Sequence, residues 1–295
     1  MAITNNCAKF LAYAKANGVY FDNTLTLGRM LSYTDNRYLQ DLYEKHKTIL
    51  CPMSEKNLRS DYAEAVFELL GTQCLKSLDY SPYENADITQ DLNAEWPSQY
   101  NQNFSVVFDG GTLEHVFNFP VAIKSCMKAI KTGGHFIAIT PANNQNGHGF
   151  YQFSPELYFR IFSEENGFRI TKMLLTPNDN NWYEVADPHQ VKSRVLFTNS
   201  VLTRLMVIAE KIEDKKIFLT LPYQSDYSDL WESAKTDDFH KGANKINPVK
   251  TFLKKITPTR LKDKVRNWYE VLNSKKKYTA DMGFINPNHF KKIEW

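Results

Sequence analysis

Apolar positions between Phe104 and Phe153 switch between two spacings. Ser105-Val106-Val107-Phe108 is a continuous run that stops at Asp109-Gly110-Gly111-Thr112, and Phe136-Ile137-Ala138-Ile139 is a second that gives way to Thr140-Pro141-Ala142-Asn143-Asn144. Between them Leu113, Val116, Phe117, Ala122, Ile123, Cys126, Met127 and Ile130 recur at helical spacing up to Lys131-Thr132-Gly133-Gly134. Strand, polar tip, helix, glycine stop, strand and polar tip make a βαβ unit, whose crossover is nearly always right-handed. Continuous apolar strands predict a parallel sheet covered on both faces. Ligands of such sheets lie beyond the carboxyl ends of the strands, where both polar tips fall.

The flanking segments extend the pattern. Residues 5 to 18 suit a short amphipathic helix with a stop at Asn17-Gly18, and Thr24-Leu25-Thr26-Leu27 a strand with Gly28-Arg29 at its tip. Residues 34 to 72 read as mostly helical with breaks around Pro52 and Gly71; a helix starting at Ser54 would carry Leu58, Tyr62, Ala65, Val66, Leu69 and Leu70. Cys74 to Leu78 is a strand ending in Asp79-Tyr80-Ser81, and Ala86 to Gln90 a third, followed by Asp91-Leu92-Asn93. Ser154-Pro155-Glu156 caps a helix that Asn166-Gly167 stops. Phe168 to Leu175 and Val201 to Lys211 are further strands, separated by a loop holding Trp182, Tyr183, Asp187, Pro188 and His189.

Taken together, these parts resemble class I S-adenosylmethionine (SAM)-dependent methyltransferases over roughly residues 22 to 212. Asp109-Gly110-Gly111-Thr112-Leu113-Glu114-His115-Val116 resembles the family's fourth motif, in which a strand-end Asp leads into a loop and a Leu-Glu-His-Val helix start. Gly133-Gly134 before Phe136 resembles its glycines before strand five. The resemblance implies an α/β, Rossmann-like fold: a seven-strand, mostly parallel sheet with helices on both faces and an antiparallel last strand. It implies SAM as cofactor. Asp79, with Tyr80, would hold the ribose, because one carboxylate accepts from two vicinal hydroxyls. Asp91 would accept from the adenine amino group with Leu92 beside it, and Asp109, Gly110, Gly111 and His115 would line the remaining floor. Where the family carries a glycine-rich turn, this chain keeps only Gly28, between Leu27 and Arg29. Arg29 either faces the cofactor carboxylate or is a surface residue at a strand end, and Asp79 and Asp91 have the alternative of solvated turns. No metal is expected.

The stretch from Pro141 to Phe153 is dense in amides and flexible at Gly147 and Gly149 around His148. Methyl transfer to oxygen needs an oxygen nucleophile whose proton is removed, and histidine suits that work. His148 is therefore the first candidate base and His115 the second, against a purely structural role for either. Asn144, Tyr151 and Gln152, and Trp182 from the later loop, are candidate acceptor contacts; Trp182 equally suits the apolar floor of its loop. Glu114 is expected to cap the helix start, and His135 to pack.

Composition adds a boundary. With 42% hydrophobic and 14% aromatic residues among 295, a substantial core is expected. Residues 241–295 carry 14 Lys plus Arg against 4 Asp plus Glu, a net of +10; the totals of 36 and 33 leave 22 and 29, a net of −7, for residues 1–240. This divides the chain into a domain over 1–212 and a basic extension over 213–295 packed on it, with one or two basic amphipathic helices between Pro248 and Asn273. That extension also suits peripheral contact with an anionic membrane, while nucleic acid is not the expected partner. Cys7, Cys51, Cys74 and Cys126 lack metal-ligand spacing and read as free thiols. With no 18-residue apolar run and no basic-then-apolar leader, a soluble cytoplasmic protein is expected.

The reading that follows is an O-methyltransferase acting on a small molecule or saccharide, with bacterial surface-polysaccharide precursors as one acceptor class by analogy. Two other classes stand beside it: a methyltransferase-like scaffold without catalysis, which the depleted glycine turn favours, and an RNA methyltransferase using the basic tail. The Asn/Asp-Pro-Pro-aromatic motif of base amino methylation is absent, since Thr140-Pro141-Ala142-Asn143 follows the wrong strand.

Overall fold

The computed structural model describes residues 2–179, 181–228, 231, 283–284 and 286–295. The elements in chain order are β1 (Ala2–Thr4), α1 (Asn5–Ala16), β2 (Asn23–Leu27), β3 (Leu31–Tyr33), α2 (Asn36–Lys45), α3 (Glu55–Leu58), α4 (Glu64–Leu69), β4 (Cys74–Asp79), β5 (Ile88–Thr89), β6 (Phe104–Asp109), α5 (Phe119–Ala129), β7 (Ile130–Asn143), α6 (Pro155–Ile161), β8 (Phe168–Pro177), β9 (Trp182–Val185), β10 (Phe197–Thr198), β11 (Thr203–Lys211), β12 (Gly283–Phe284) and β13 (Phe290–Ile293).

The central sheet runs β13-β9-β8-β11-β7-β6-β2-β4-β5. Its β5-to-β8 part is the expected seven strands, with β2, β4, β5, β6 and β7 paired in parallel and β11 antiparallel to both β7 and β8. This is the Rossmann-like order of class I methyltransferases. The chain moves outward from β2 through β4 to β5, then returns to β6 on the other side of β2, so the switch point lies between β2 and β6.

Alternation across the strands builds two cores, one on each face. Leu25, Leu27, Val107, Phe136 and Ala138 pack with α5 and α6, including Ile123, Met127 and Tyr158. Val106, Phe108, Ile137 and Ile139 pack on the other face with Phe10, Leu11, Val66 and Phe67 of α1 and α4.

Several boundaries differ from the expectation. The helix read from Leu113 begins only at Phe119, with Pro120 in its first turn, and Leu113–His115 forms a separate tight turn. Val116 between them is extended (φ −94°, ψ 111°), while Asn118 is tied back to Asn93. The chain then passes straight from α5 into β7 without a glycine stop. Gly134 instead serves a close approach, since a Cβ there would stand 2.7 Å from the Ser105 carbonyl oxygen. The helix expected from Ser54 is split into α3 and α4. Ser54 caps α3, but Ser32 donates to the Asp61 carbonyl at 2.8 Å and Ala63 to the Met30 carbonyl at 3.0 Å, which pulls Arg59–Ala63 out of helical register. Asn166-Gly167 ends a separate short turn beyond α6, with Gly167 left-handed at φ 76°.

Two strands join the sheet beyond the expected set. β9 pairs with β8, and β13 pairs with β9, so Phe290–Ile293 forms the sheet's edge. Trp295 stacks on His46 and on Trp182. The sheet is therefore not contained within residues 22–212. The basic helices expected between Pro248 and Asn273 lie outside the described residues. Among the described residues, no helix is long and apolar enough to cross a membrane.

Candidate active site

The switch point collects the strand tips. Register sets Leu27 beside Leu78 on one side and Asp109 on the other. Gly28 takes a left-handed backbone (φ 83°), from which its amide donates to the Leu78 carbonyl at 2.6 Å and its carbonyl accepts from Thr26 Oγ1 at 2.9 Å. Thr112 Oγ1 donates to the Leu27 carbonyl at 2.6 Å, fixing the loop after β6 against the end of β2. On the far side the Gln90 amide donates to the Asp79 carbonyl at 2.8 Å, which brings the turn at Asp91 to the same edge. Gly28, Asp79, Asp91 and Asp109 thus form one row.

Along this row the half-buried Asp79 accepts from the amide of exposed Tyr80 at 2.7 Å. Asp91 is exposed and accepts from the Asn93 amide at 2.8 Å, with Leu92 buried beneath it. Gly110 lies against Met30, whose Cε would meet a Cβ at 2.9 Å. Arg29 is already engaged within the protein. Its Nη2 lies 2.6 Å from Glu64 Oε1, its Nη1 donates to the Asn85 carbonyl at 3.1 Å, and its guanidinium rests 4.4 Å from the centre of the Tyr62 ring.

The deepest part of the site is acidic. Asp109 has no exposed surface, and its Oδ1 accepts from the amides of Gly111 (3.2 Å), Thr112 (2.8 Å) and Leu113 (3.3 Å). Burial raises its carboxyl above the usual range against the pull of those amides. Glu114 is 1% exposed rather than capping a helix. Its carboxyl is raised further, by burial first and by the charge of Asp109 second. Asp109 Oδ2 and Glu114 Oε2 are buried with no hydrogen-bond partner.

The loop after β7 folds back over this acidic floor. The amides of Phe150 (2.7 Å) and Tyr151 (3.2 Å) both donate to the Glu114 carbonyl. Gly149 makes that approach feasible: it is left-handed at φ 75°, and a Cβ on it would stand 2.7 Å from the same oxygen. The docked loop sets His148 Nε2 3.5 Å from Glu114 Oε1 and packs its ring edge-to-face on His115, centroids 4.9 Å apart. Both imidazoles are exposed. His115 is held below the usual imidazole range, by partial burial first and by His148 second.

The candidate acceptor contacts go largely to building this loop. Gln152 Oε1 accepts from the Gln145 amide at 2.8 Å and its Nε2 donates to Asn146 Oδ1 at 2.6 Å. Tyr151 OH donates to the Phe117 carbonyl at 2.7 Å. The Asn144 amide donates to Asn199 and Val201. Trp182 does not line the site. It is 2% exposed, packs edge-on against Phe10 and Tyr13, and donates from Nε1 to Asn6 at 3.0 Å. Its placement is that of a core residue on the α1 face. The residue that sequence reasoning missed is Glu114, whose one visible signal is its place between a glycine pair and His115.

The chain matches no protein-family model and no curated protein. Among solved structures it is similar to a 1,6-didemethyltoxoflavin N1-methyltransferase from Burkholderia thailandensis, crystallised with bound 1,6-didemethyltoxoflavin and S-adenosylhomocysteine, at 10% identity over 70% of this chain and 78% of that one, TM-score 0.40. The N-methyltransferase NodS from Bradyrhizobium japonicum, bound to S-adenosylhomocysteine, is 12% identical over 70% and 86%, TM-score 0.37. A branched-chain polyamine synthase from Thermus thermophilus, with 5′-methylthioadenosine, is 14% identical over 72% and 57%, TM-score 0.37. At such scores the assignment of the fold rests on the chain's own strand order, and no activity follows from the likeness.

Proposed function

We propose that this chain is a SAM-dependent methyltransferase acting on an oxygen of a small molecule or saccharide. The observation that carries the reading is the row Gly28, Asp79, Asp91 and Asp109 on one sheet edge, at the switch point, with the Glu114–His148 pair beside it.

The row suits a nucleoside cofactor. Asp79 would accept from the ribose hydroxyls, Asp91 from the adenine amino group over Leu92, and the Gly28 turn and Gly110 would admit the methionine end. When bound, SAM supplies an electrophilic methyl group. The protein's own work is to hold the acceptor in line and remove its proton. His148 takes the hydroxyl proton as general base, and the Glu114 carboxylate, with Oε1 3.5 Å from His148 Nε2, stabilises the imidazolium that forms. His115 orients the His148 ring from its other side. Gln152 and Tyr151 fix the loop that carries His148.

Incubation with methyl-labelled SAM and a panel of monosaccharides and sugar nucleotides tests the acceptor class, with NMR locating the methyl group. The expected product is an O-methyl ether. His148→Gln should slow its formation by roughly 10²–10⁴-fold while sparing cofactor affinity. A methylated nitrogen, or unchanged turnover in His148→Gln, would contradict the reading.

A further inference from the structure

We propose that Glu114, His115 and His148 bind a divalent first-row transition-metal cation, in the class of zinc or cobalt. Each residue offers one ligand atom, and the three atoms lie within 4.8 Å of one another. Two imidazoles and one carboxylate form the donor set of open, three-ligand metal sites, which leave coordination positions for water or substrate. Ligand atoms about 2.0–2.1 Å from a tetrahedral cation stand about 3.4 Å apart. The Glu114 Oε1–His148 Nε2 separation of 3.5 Å already matches that edge, and the exposed His115 supplies a third ligand atom within 4.8 Å of the other two.

The second observation is at Glu114 itself. Its side chain is 1% exposed, yet Oε2 has no hydrogen-bond partner, and it shares this floor with the equally buried Asp109. Arg204, whose charge acts on Glu114, is already engaged by Asp179 at 2.6 Å. A buried carboxylate with an idle oxygen, faced by two imidazoles on an open surface, is a donor set suited to a divalent cation. The two flanking residues are adjacent in one tight turn, and the third is brought in by the loop that Gly149 lets dock.

This inference deepens the proposed reaction without depending on SAM. With a cation bound, His148 would serve as its ligand in place of the base role given to it above, and the cation would supply Lewis acidity toward an acceptor hydroxyl.

The test uses the full chain without a histidine tag, stripped with chelator and titrated with zinc by calorimetry and with cobalt by visible absorption. One equivalent should bind at micromolar affinity or tighter, with cobalt bands of a four- or five-coordinate site. His115→Ala and His148→Ala, both at exposed positions, should each weaken metal binding by about 100-fold or more, with circular dichroism unchanged in both and S-adenosylhomocysteine affinity unchanged in His148→Ala. Absence of saturable one-equivalent binding, or equal affinity in the double variant, would overturn the metal site and leave the cofactor assignment standing. Loss of S-adenosylhomocysteine binding in the wild type would do the reverse.

Discussion

His148 Nε2 lies 3.5 Å from Glu114 Oε1 because Gly149, one residue on, has no side chain to strike the Glu114 carbonyl. The pair is thus made by a backbone contact: Phe150 and Tyr151 donate to the carbonyl of the same residue whose carboxyl meets His148.

Gly149→Ala removes that contact. The new Cβ would sit 2.7 Å from the Glu114 oxygen, and the φ of 75° would have to be held by an L side chain. A strained residue of this kind costs on the order of 1–3 kcal/mol, so the docked loop should lose population and transfer should fall roughly tenfold or more. Gly147→Ala, at a position open to solvent with nothing within 4 Å, should keep wild-type turnover. Steady-state kinetics on the two variants decides the matter; equal rates in both would remove the loop from the mechanism.

Trp182 is expected to matter for stability alone. Truncation to alanine should cost about 3–5 kcal/mol, as for buried aromatics generally, with cofactor affinity intact. Denaturant midpoints and S-adenosylhomocysteine titration measure the two separately. A variant with unchanged midpoint and weakened acceptor binding would return Trp182 to the site.

His135 sets a pH dependence away from the chemistry. It is buried in β7, and that burial lowers its pKa below 6.5, with the Glu210 carboxylate pulling the other way. Between the lowered folded value and 6.5 the unfolded chain binds more protons, so stability rises with pH across that window and is lost as pH falls through it. Its contribution is complete above the unfolded value. Each unit of depression is about 1.4 kcal/mol. The difference in unfolding free energy between wild type and His135→Gln should therefore change between pH 7 and pH 5, with the wild type losing more. Parallel curves would show that the imidazole titrates normally.

Much of this was legible in the chain. Strands buried on both faces are continuous apolar runs, so β6, β7 and their polar tips stand out, and the order of parts carries the sheet topology. Residues 113 to 118 were harder, because Leu113, Val116 and Phe119 are buried by a tight turn and an extended link at nearly helical spacing. Tertiary contacts with Asn93 and the later loop decided the matter. Glu114 could not be read as a site residue, since burial of a carboxylate is set by a loop folding back from 35 residues on at Gly149. Arg29, which the sequence leaves open between a cofactor contact and a surface residue, is paired with Glu64 from a helix whose placement the sequence does not encode locally. The edge strand β13, with Lys291 and Lys292 exposed between Phe290 and Ile293, has too short a pattern to distinguish from a loop.

The sheet edge is proposed to hold SAM despite a single turn glycine. Titration calorimetry with SAM and with S-adenosylhomocysteine, on wild type and on Asp79→Ala, addresses it directly. The account predicts micromolar binding of both to the wild type and at least a tenfold loss in Asp79→Ala, where the ribose hydroxyls lose their acceptor. Failure of the folded wild type to bind either compound would contradict it.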